Sequence, residues 1–251
     1  MHRFFLIGQT ISEKDAVDLS PLARQLARVL RLQPGALIEV LDGEGFAYRV
    51  EIVSLSPRAG RGRVLGRRAV ESEPDARLTL YQCSLKADKF EWVLQKGTEL
   101  GVSRFVPVIS RRSIVRPASA LLRKYDRWRA IIREAAEQSG RGRLPDLADP
   151  LDFTQAVAGA AGCRLLPYEE AGVGLAAPSL GDAVREQCAV PQPAVNLLIG
   201  PEGGFDPAEV EQARAAGWII ATLGPRILRA ETAALAAVTV IMDRLGELGS
   251  E

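Results

Sequence analysis

Leu197-Leu198-Ile199-Gly200-Pro201-Glu202-Gly203-Gly204-Phe205 is an apolar run that ends in a glycine-rich turn. A second turn of this kind, Leu223-Gly224-Pro225-Arg226-Ile227-Leu228-Arg229, follows the next predicted strand. Ligands of open α/β sheets bind where loops leave the carboxyl ends of strands, and glycine lets backbone groups approach a ligand closely. The two turns therefore predict a pocket lined mainly by main chain, which suits the base edge of an adenosine.

Short apolar runs that alternate with helical patterns surround these turns. Strands are predicted at residues 78–83, 104–108, 163–166, 195–199 and 219–223. Helices are predicted at residues 89–100, 119–139 and 230–248. Alternation of this kind favours a mostly parallel α/β sheet.

The N-terminal part has a different pattern. Residues 36–41 and 46–53 are β-type runs on either side of a hairpin-like connector, Asp42-Gly43-Glu44-Gly45. Residues 19–32 have helical spacing, and the polar stretch 70–75 is the best linker candidate. Small barrels of this composition often bind nucleic acid. We therefore place one domain at residues 1–72 and a second at residues 73–251.

Basic residues are unevenly distributed, although the net charge is only +1. Between Arg111 and Arg143 there are ten Lys or Arg against Asp126, Glu134 and Glu137. Such a polarised chain either presents a basic face to a phosphate backbone or simply has well-solvated surfaces.

Several kinds of site are excluded by composition. The single histidine, His2, excludes His-based triads and multi-histidine metal sites. Cys83, Cys163 and Cys188 form no CxxC pair and are predicted to be reduced thiols of a cytoplasmic protein, without zinc. No apolar run reaches the roughly 20 residues of a membrane-spanning helix. Nucleotide-phosphate motifs of the G-x-G-x-x-G and Walker types are also missing.

The two turns, with further motifs along the chain, resemble the ribosomal RNA small subunit methyltransferase E family of the SPOUT superfamily. The further motifs are Arg3-Phe4-Phe5, Arg28-Val29-Leu30-Arg31, Lys86-Ala87-Asp88-Lys89-Phe90-Glu91, Gln95-Lys96-Gly97-Thr98-Glu99-Leu100-Gly101-Val102, Glu134-Ala135-Ala136-Glu137-Gln138-Ser139-Gly140-Arg141 and Pro167-Tyr168-Glu169. They follow one another in order over nearly the whole chain. One departure is Gln25, where family members often carry a histidine.

The resemblance implies a fold and an activity. Residues 1–72 would form a PUA-like β-barrel that binds RNA, and residues 73–251 a SPOUT α/β domain with a C-terminal deep trefoil knot. The chain would be a cytoplasmic homodimer that uses S-adenosylmethionine, without a metal or a membrane. It would methylate N3 of a uridine in 16S ribosomal RNA of the assembled small subunit.

The resemblance also implies site residues. The cofactor would be held by Pro167, Leu198, Ile199, Gly200, Pro201, Glu202, Gly203, Gly204, Leu223, Gly224, Ile227, Leu228 and Arg229. Arg229 is the candidate cation for the uracil oxygens, unless it only pairs with Glu202 or Glu231. Glu202 is a candidate proton acceptor, a residue that orients Arg229, or only a cap for the helix near Pro207.

RNA contacts are expected from polar and basic side chains in both predicted domains. These are Arg3, Arg28, Arg31, Lys86, Gln138, Arg141 and Arg143. Contacts of this kind hold phosphates and read little sequence, and an arginine-rich helix end is alternatively only a soluble surface.

Two other functions remain open. The first is a SPOUT methyltransferase that acts on a different RNA nucleotide, because its pocket motifs would look nearly the same. The second is a non-catalytic RNA-binding assembly factor, against which the intact glycine turns and Arg229 argue.

Overall fold

The chain forms two compact units, seen here in a computed structural model. The structure describes residues 1–11, 16–115, 117–172, 177–188 and 190–249. The first unit comprises Met1–Glu73 and Arg133–Leu144, and the second comprises Pro74–Ile132 and Pro145–Glu251. The sequence did not indicate that residues 133–144 would join the N-terminal unit.

The first unit is built on a five-stranded sheet with the order β1-β3-β4-β5-β2. The strands are β1 (His2–Phe5), β2 (Ala16–Asp18), β3 (Leu37–Leu41), β4 (Phe46–Leu55) and β5 (Gly60–Ala69). β1 pairs with β3 in parallel, and the other neighbours are antiparallel. The predicted β-rich character and the hairpin between β3 and β4 are confirmed, whereas β1 and β2 were not predicted.

The prediction of one regular helix over residues 19–32 is wrong. A 3₁₀ turn occupies Ser20–Leu22, and a π-helical turn occupies Gln25–Val29. Pro21 has no amide hydrogen to donate to a longer helix, and Arg31 adopts a positive φ of 53°. Leu22 and Leu26 nevertheless pack into the core of the sheet. The spacing therefore indicated correctly which residues are buried, but it did not indicate the kind of helix that they form.

The returning segment 133–144 is packed into the first unit by apolar and polar contacts. Ala136 lies in a small core with Phe5, Leu41 and Ala47. The backbone N–H of Phe5 donates to the Glu137 carboxylate at 2.9 Å. These long-range contacts involve ordinary core residues, which carry no sequence signal of their own.

The second unit is built on a parallel sheet with the order β12-β10-β11-β6-β7-β8, and β9 also pairs with β7. Its strands are β6 (Arg77–Cys83), β7 (Arg104–Ile109), β8 (Asp146–Leu147), β9 (Leu151–Asp152), β10 (Cys163–Pro167), β11 (Ala194–Ile199) and β12 (Ile219–Ala221). All of these pairs are parallel. The predicted parallel α/β sheet is therefore confirmed.

Helices cover both faces of this sheet. They are α1 (Ala87–Glu99), α2 (Ala118–Leu122), α3 (Tyr125–Ser139), α4 (Phe153–Gly159), α5 (Leu180–Gln187), α6 (Pro207–Ala215) and α7 (Ala230–Arg244). Residues of α1, α5 and α7 share one apolar core, and residues of α4 and α6 share the core on the other side. The predicted helix 119–139 is two helices, α2 and α3.

The strand order brings three loops to one edge of the sheet. β10 lies between β11 and β12 and is parallel to both. The connection from β10 to β11 runs through α5, and the connection from β11 to β12 runs through α6 on the opposite face. β11 is thus added on one side of β10 and β12 on the other. Open α/β sheets bind ligands at a point where the strand order switches in this way.

The cysteine prediction requires a correction. Cys163 begins β10 and Cys188 follows α5, and their sulfur atoms form a disulfide. The crossover through α5 returns the chain to the start of β10, so residues distant in sequence meet. Cys83 remains a thiol, and burial raises its pKa. None of the described helices combines the length and the apolar character needed to cross a membrane.

A glycine in β5 provides a test of packing in the first unit. A Cβ atom at Gly62 would lie 2.3 Å from Val50 Cγ1 and 3.1 Å from Val17 Cγ1. We expect Gly62→Ala to lower the free energy of unfolding by about 1–3 kcal/mol, because both valines are buried and must shift. Urea unfolding measures this change.

Gly66→Ala is the matched control on the same strand, because no described atom lies within 4 Å of its added Cβ. If the two variants unfold at the same urea concentration, the packing around Gly62 is not as the structure gives it.

Candidate functional site

A cavity of about 210 Å³ lies at the carboxyl edge of β10, β11 and β12. The loops that follow these strands form its walls, and α1 and α7 contribute their first turns. It is lined by Lys89, Pro167, Tyr168, Glu169, Ile199, Gly200, Pro201, Glu202, Gly204, Phe205, Leu223, Gly224, Arg226, Ile227, Leu228, Arg229, Ala230 and Ala233. This is the position predicted from the two glycine turns.

The first glycine turn is fixed by contacts from neighbouring strands. A Cβ atom at Gly200 would lie 3.2 Å from the Phe205 ring, so the turn packs tightly there. The Gln82 amide donates to the Gly200 carbonyl at 3.4 Å, and the Arg112 guanidinium donates to the Gly203 carbonyl at 3.1 Å. Side chains from β6 and from the segment after β7 therefore hold the turn in place.

The second turn follows β12 and leads directly into α7. The backbone N–H of Gly224 donates to the Thr222 hydroxyl at 3.0 Å, and Gly224 adopts a positive φ of 101°. Such a φ favours glycine over residues with a side chain. The turn presents Arg226 and Arg229 as exposed cations beside the cavity.

A group of three charged side chains joins the first turn to both helices. Lys89, in the first turn of α1, places Nζ 3.2 Å from Glu231 Oε1 and 3.9 Å from Glu202 Oε1. The backbone N–H of Lys86 also donates to Glu202 Oε1, at 3.1 Å. In the described structure, Glu202 Oε2 and Glu231 Oε2 are buried without a hydrogen-bond partner.

These contacts decide between the alternatives for Glu202 and Arg229. Helix α6 is capped by Asp206 together with Glu209, so Glu202 is not its cap. Among the described residues, the Arg229 guanidinium has no ion-pair or hydrogen-bond partner, and the cation near Glu202 and Glu231 is Lys89. The exposed Arg229 guanidinium is therefore free to contact a ligand, and Glu202 is held beside Lys86 and Lys89 in the cavity wall.

Most of the predicted cofactor residues line this cavity. The exceptions are Leu198, which is fully buried in the core beneath, and Gly203, which packs against Arg112. The residues that line it are Pro167, Ile199, Gly200, Pro201, Glu202, Gly204, Leu223, Gly224, Ile227, Leu228 and Arg229.

Several lining residues were not assigned to the site from the sequence. These are Lys89, Tyr168, Glu169, Phe205, Arg226, Ala230 and Ala233. Lys89, Tyr168 and Glu169 lie in the sequence motifs on which the family resemblance is based. Those motifs could have indicated that the three residues belong to the site. Burial and the neighbouring Glu170 carboxylate raise the pKa of Tyr168 to about 12, which keeps its hydroxyl protonated.

The residues predicted to contact RNA have different surroundings. Arg28, Arg31, Gln138 and Arg143 are exposed in the first unit, and Lys86 is exposed beside the first turn of α1. Arg3 is half-buried and donates to the Glu39 carboxylate at 2.8 Å.

Arg141 does not reach the surface. Its side chain is 5% exposed and pairs with Glu73 at 2.9 Å, and Glu73 also accepts the backbone N–H groups of Gly142 and Arg143. A buried pair of this kind holds two chain segments together, so the expectation that Arg141 contacts RNA is withdrawn.

Comparisons with known proteins agree with this geometry. The model of an RNA methyltransferase domain matches residues 71–242, and that of an RNA methyltransferase PUA domain matches residues 26–65. The ribosomal RNA small subunit methyltransferase E of Synechocystis is 35% identical to this chain, and the match covers 96% of this chain and 78% of the length of the Synechocystis protein. The protein of that name from Bacillus subtilis is 31% identical over 96% of each chain.

A solved structure is similar over almost the whole chain. It is a ribosomal RNA small subunit methyltransferase E from Neisseria gonorrhoeae bound to S-adenosylmethionine. It is 33% identical, covers 97% of each chain and has a TM-score of 0.84.

The burial of Arg141 leads to a stability prediction. We expect Arg141→Met to lower the free energy of unfolding by roughly 3–5 kcal/mol, because Glu73 would be left without its buried partner. Thermal and urea unfolding measure the loss.

Arg143→Met is the matched control, since Arg143 is exposed two residues away. We expect it to change stability by less than about 0.5 kcal/mol. An Arg141 variant as stable as the Arg143 variant would show that the buried pair does not stabilise the unit.

Proposed function

The chain belongs to the ribosomal RNA small subunit methyltransferase E family, and we propose that it methylates N3 of a uridine in 16S ribosomal RNA of the small subunit, using S-adenosylmethionine. The observation that carries the proposal is the cavity between the two glycine turns, at the edge where β10, β11 and β12 end. A relative that is similar over nearly all of its length binds S-adenosylmethionine.

The residues around the cavity fit this cofactor. Main-chain groups of the two turns suit the edge of an adenine ring, and Pro167, Ile199 and Leu228 offer apolar surface. Buried carboxylate oxygens without a partner, such as Glu202 Oε2, require a hydrogen-bond donor. When bound, the cofactor supplies an electrophilic methyl group on a sulfonium. The residues that would hold it are those predicted from the sequence that line the cavity, with Phe205, Ala230 and Ala233 in addition.

The protein's own part in the reaction is to position the base and move one proton. N3 lies on the Watson–Crick edge of uridine, so the base must be unpaired to reach the cavity. Glu202, whose side chain lines the cavity, accepts the N3 proton on its carboxylate, and Arg229 stabilises negative charge on a uracil carbonyl oxygen. Preorganised charges of this kind supply much of the rate enhancement in enzymes.

The proposal includes a PUA-like barrel at residues 1–72 and a knotted SPOUT domain at residues 73–251. Support for a knot comes from the end of β12. Ala221 pairs with Pro167 of β10, and the next residue, Thr222, bridges to Ser179 on the other side. The end of β12 therefore lies between Pro167 and Ser179, two segments that are close in sequence, as a threaded C-terminal part would require.

RNA docking and dimer formation are also parts of the proposal. Arg28, Arg31, Gln138 and Arg143 would contact phosphates from the first unit, with Arg3 and Lys86 assisting. A homodimer is part of the proposal, and it would cover Trp92 of α1, a large apolar side chain that is 44% exposed. A cytoplasmic location fits an enzyme that acts on ribosomal subunits.

Methylation with labelled S-adenosylmethionine tests the activity. We expect label to enter intact small subunits and to appear as 3-methyluridine when the RNA is digested to nucleosides. Arg229→Ala should lower the rate by roughly 100-fold, because the charge that builds up on the uracil would lose its cation.

Stripped 16S RNA and large subunits are the control substrates. Label in another nucleotide would contradict the uridine assignment and favour a related methyltransferase specificity. Cofactor binding without label in any substrate would contradict the enzyme assignment and favour an RNA-binding assembly factor.

A further inference from the structure

Lys89 has no assigned role in the reaction, although it lies in the cavity wall next to Glu202. It is half-buried in the first turn of α1. A cation there is disfavoured by the partial positive charge of the helix N-terminus. Glu231 and Glu202 on neighbouring segments offset this cost, so the ammonium group is held in the cavity wall by contacts outside α1.

The contacts of Lys89 use only part of its hydrogen-bonding capacity. An ammonium group has three N–H donors. The contact to Glu231 Oε1, at 3.2 Å, uses one of them, while Glu202 Oε1 at 3.9 Å is beyond hydrogen-bond distance. At least one donor of Lys89 therefore has no partner among the described residues, and it lies in the cavity wall beside the Glu202 carboxylate.

A donor next to an acceptor matches the edge of uracil. The Watson–Crick edge of uracil presents an N3–H donor between two carbonyl oxygens, so a carboxylate at N3 and an ammonium group at the neighbouring carbonyl satisfy both. Cytosine would place its N3 lone pair against the carboxylate and its amino group against the ammonium. Unpaired or repelling polar groups in a buried site strongly disfavour the wrong ligand.

We propose that Lys89 and Glu202 form a donor–acceptor pair that recognises the uracil edge and promotes loss of the N3 proton. This inference rests on the proposed function. The N3–H bond breaks, the proton moves to the Glu202 carboxylate, and the electron pair stays on the uracil. Lys89 stabilises the resulting negative charge on the adjacent carbonyl oxygen, and N3 is then the nucleophile for the methyl group.

Kinetics of Lys89 variants on small subunits test the pair. We expect Lys89→Met to lower kcat by roughly 100-fold, with Kd for S-adenosylmethionine, measured by calorimetry, within about threefold of wild type. Lys89→Arg should recover part of the rate because it keeps the charge. Lys96→Met is the matched control, since Lys96 lies on the same helix and pairs with the exposed Glu99 at 2.8 Å.

A double-mutant cycle with Glu202→Gln separates a working pair from two independent effects. If the two residues act on the same proton, the double variant should be about as slow as the slower single variant. If the fold-loss of rate in the double variant equals the product of the two single fold-losses, the inference is overturned. So would a weakened cofactor affinity that accounts for the whole loss, because Lys89 would then serve cofactor binding.

Two further observations keep the outcomes distinct. Melting temperatures of the variants show whether a loss of rate reflects a loss of fold, and Lys89→Arg is the variant least expected to unfold. If wild-type protein labels no RNA, the proposed function fails. If wild type labels uridine and Lys89→Met does so at the same rate, only the present inference fails.

Discussion

The parallel pairing of β10 with both β11 and β12 is the constraint on which the site depends. Because the three strands run in the same direction, their carboxyl ends meet at one edge, and the loops that follow them must face one another there. The crossovers through α5 and α6 cover opposite faces, so neither helix blocks that edge. A cavity forms between the loops, and glycine and proline in the two turns let main-chain groups approach it closely.

Charge in this cavity is arranged in two groups. Arg226 and Arg229 are exposed at the second turn, whereas Lys89 is held against Glu202 and Glu231 below them. The exposed cations suit the phosphates and carbonyl oxygens of an incoming nucleotide. The inner group combines an unused donor with unpartnered acceptors, which suits a neutral base that must give up a proton.

The turns that form the cavity could be predicted from the sequence because their residues are constrained locally. Gly200 lies in a tightly packed turn and Gly224 has a positive φ, and each comes at or shortly after the end of a largely apolar strand. Charged contacts could not be predicted in this way. Arg141 was predicted to contact RNA because it lies in an arginine-rich stretch. In the structure it is buried and pairs with Glu73, a residue that is distant in the sequence and comes near only in the folded chain. The contacts of Lys89 and the disulfide between Cys163 and Cys188 could not be predicted either, because they depend on where α1 and α5 pack in the folded chain.

Calorimetric titration with S-adenosylmethionine tests the central claim, that this cavity is the cofactor site. Ala233 lines the cavity on α7, and Thr239 is exposed on the same helix. If the cavity holds the cofactor, Ala233→Phe should abolish binding by filling it, while Thr239→Phe should bind as wild type does, with both variants folded. Wild-type affinity in a folded Ala233→Phe variant would contradict the account.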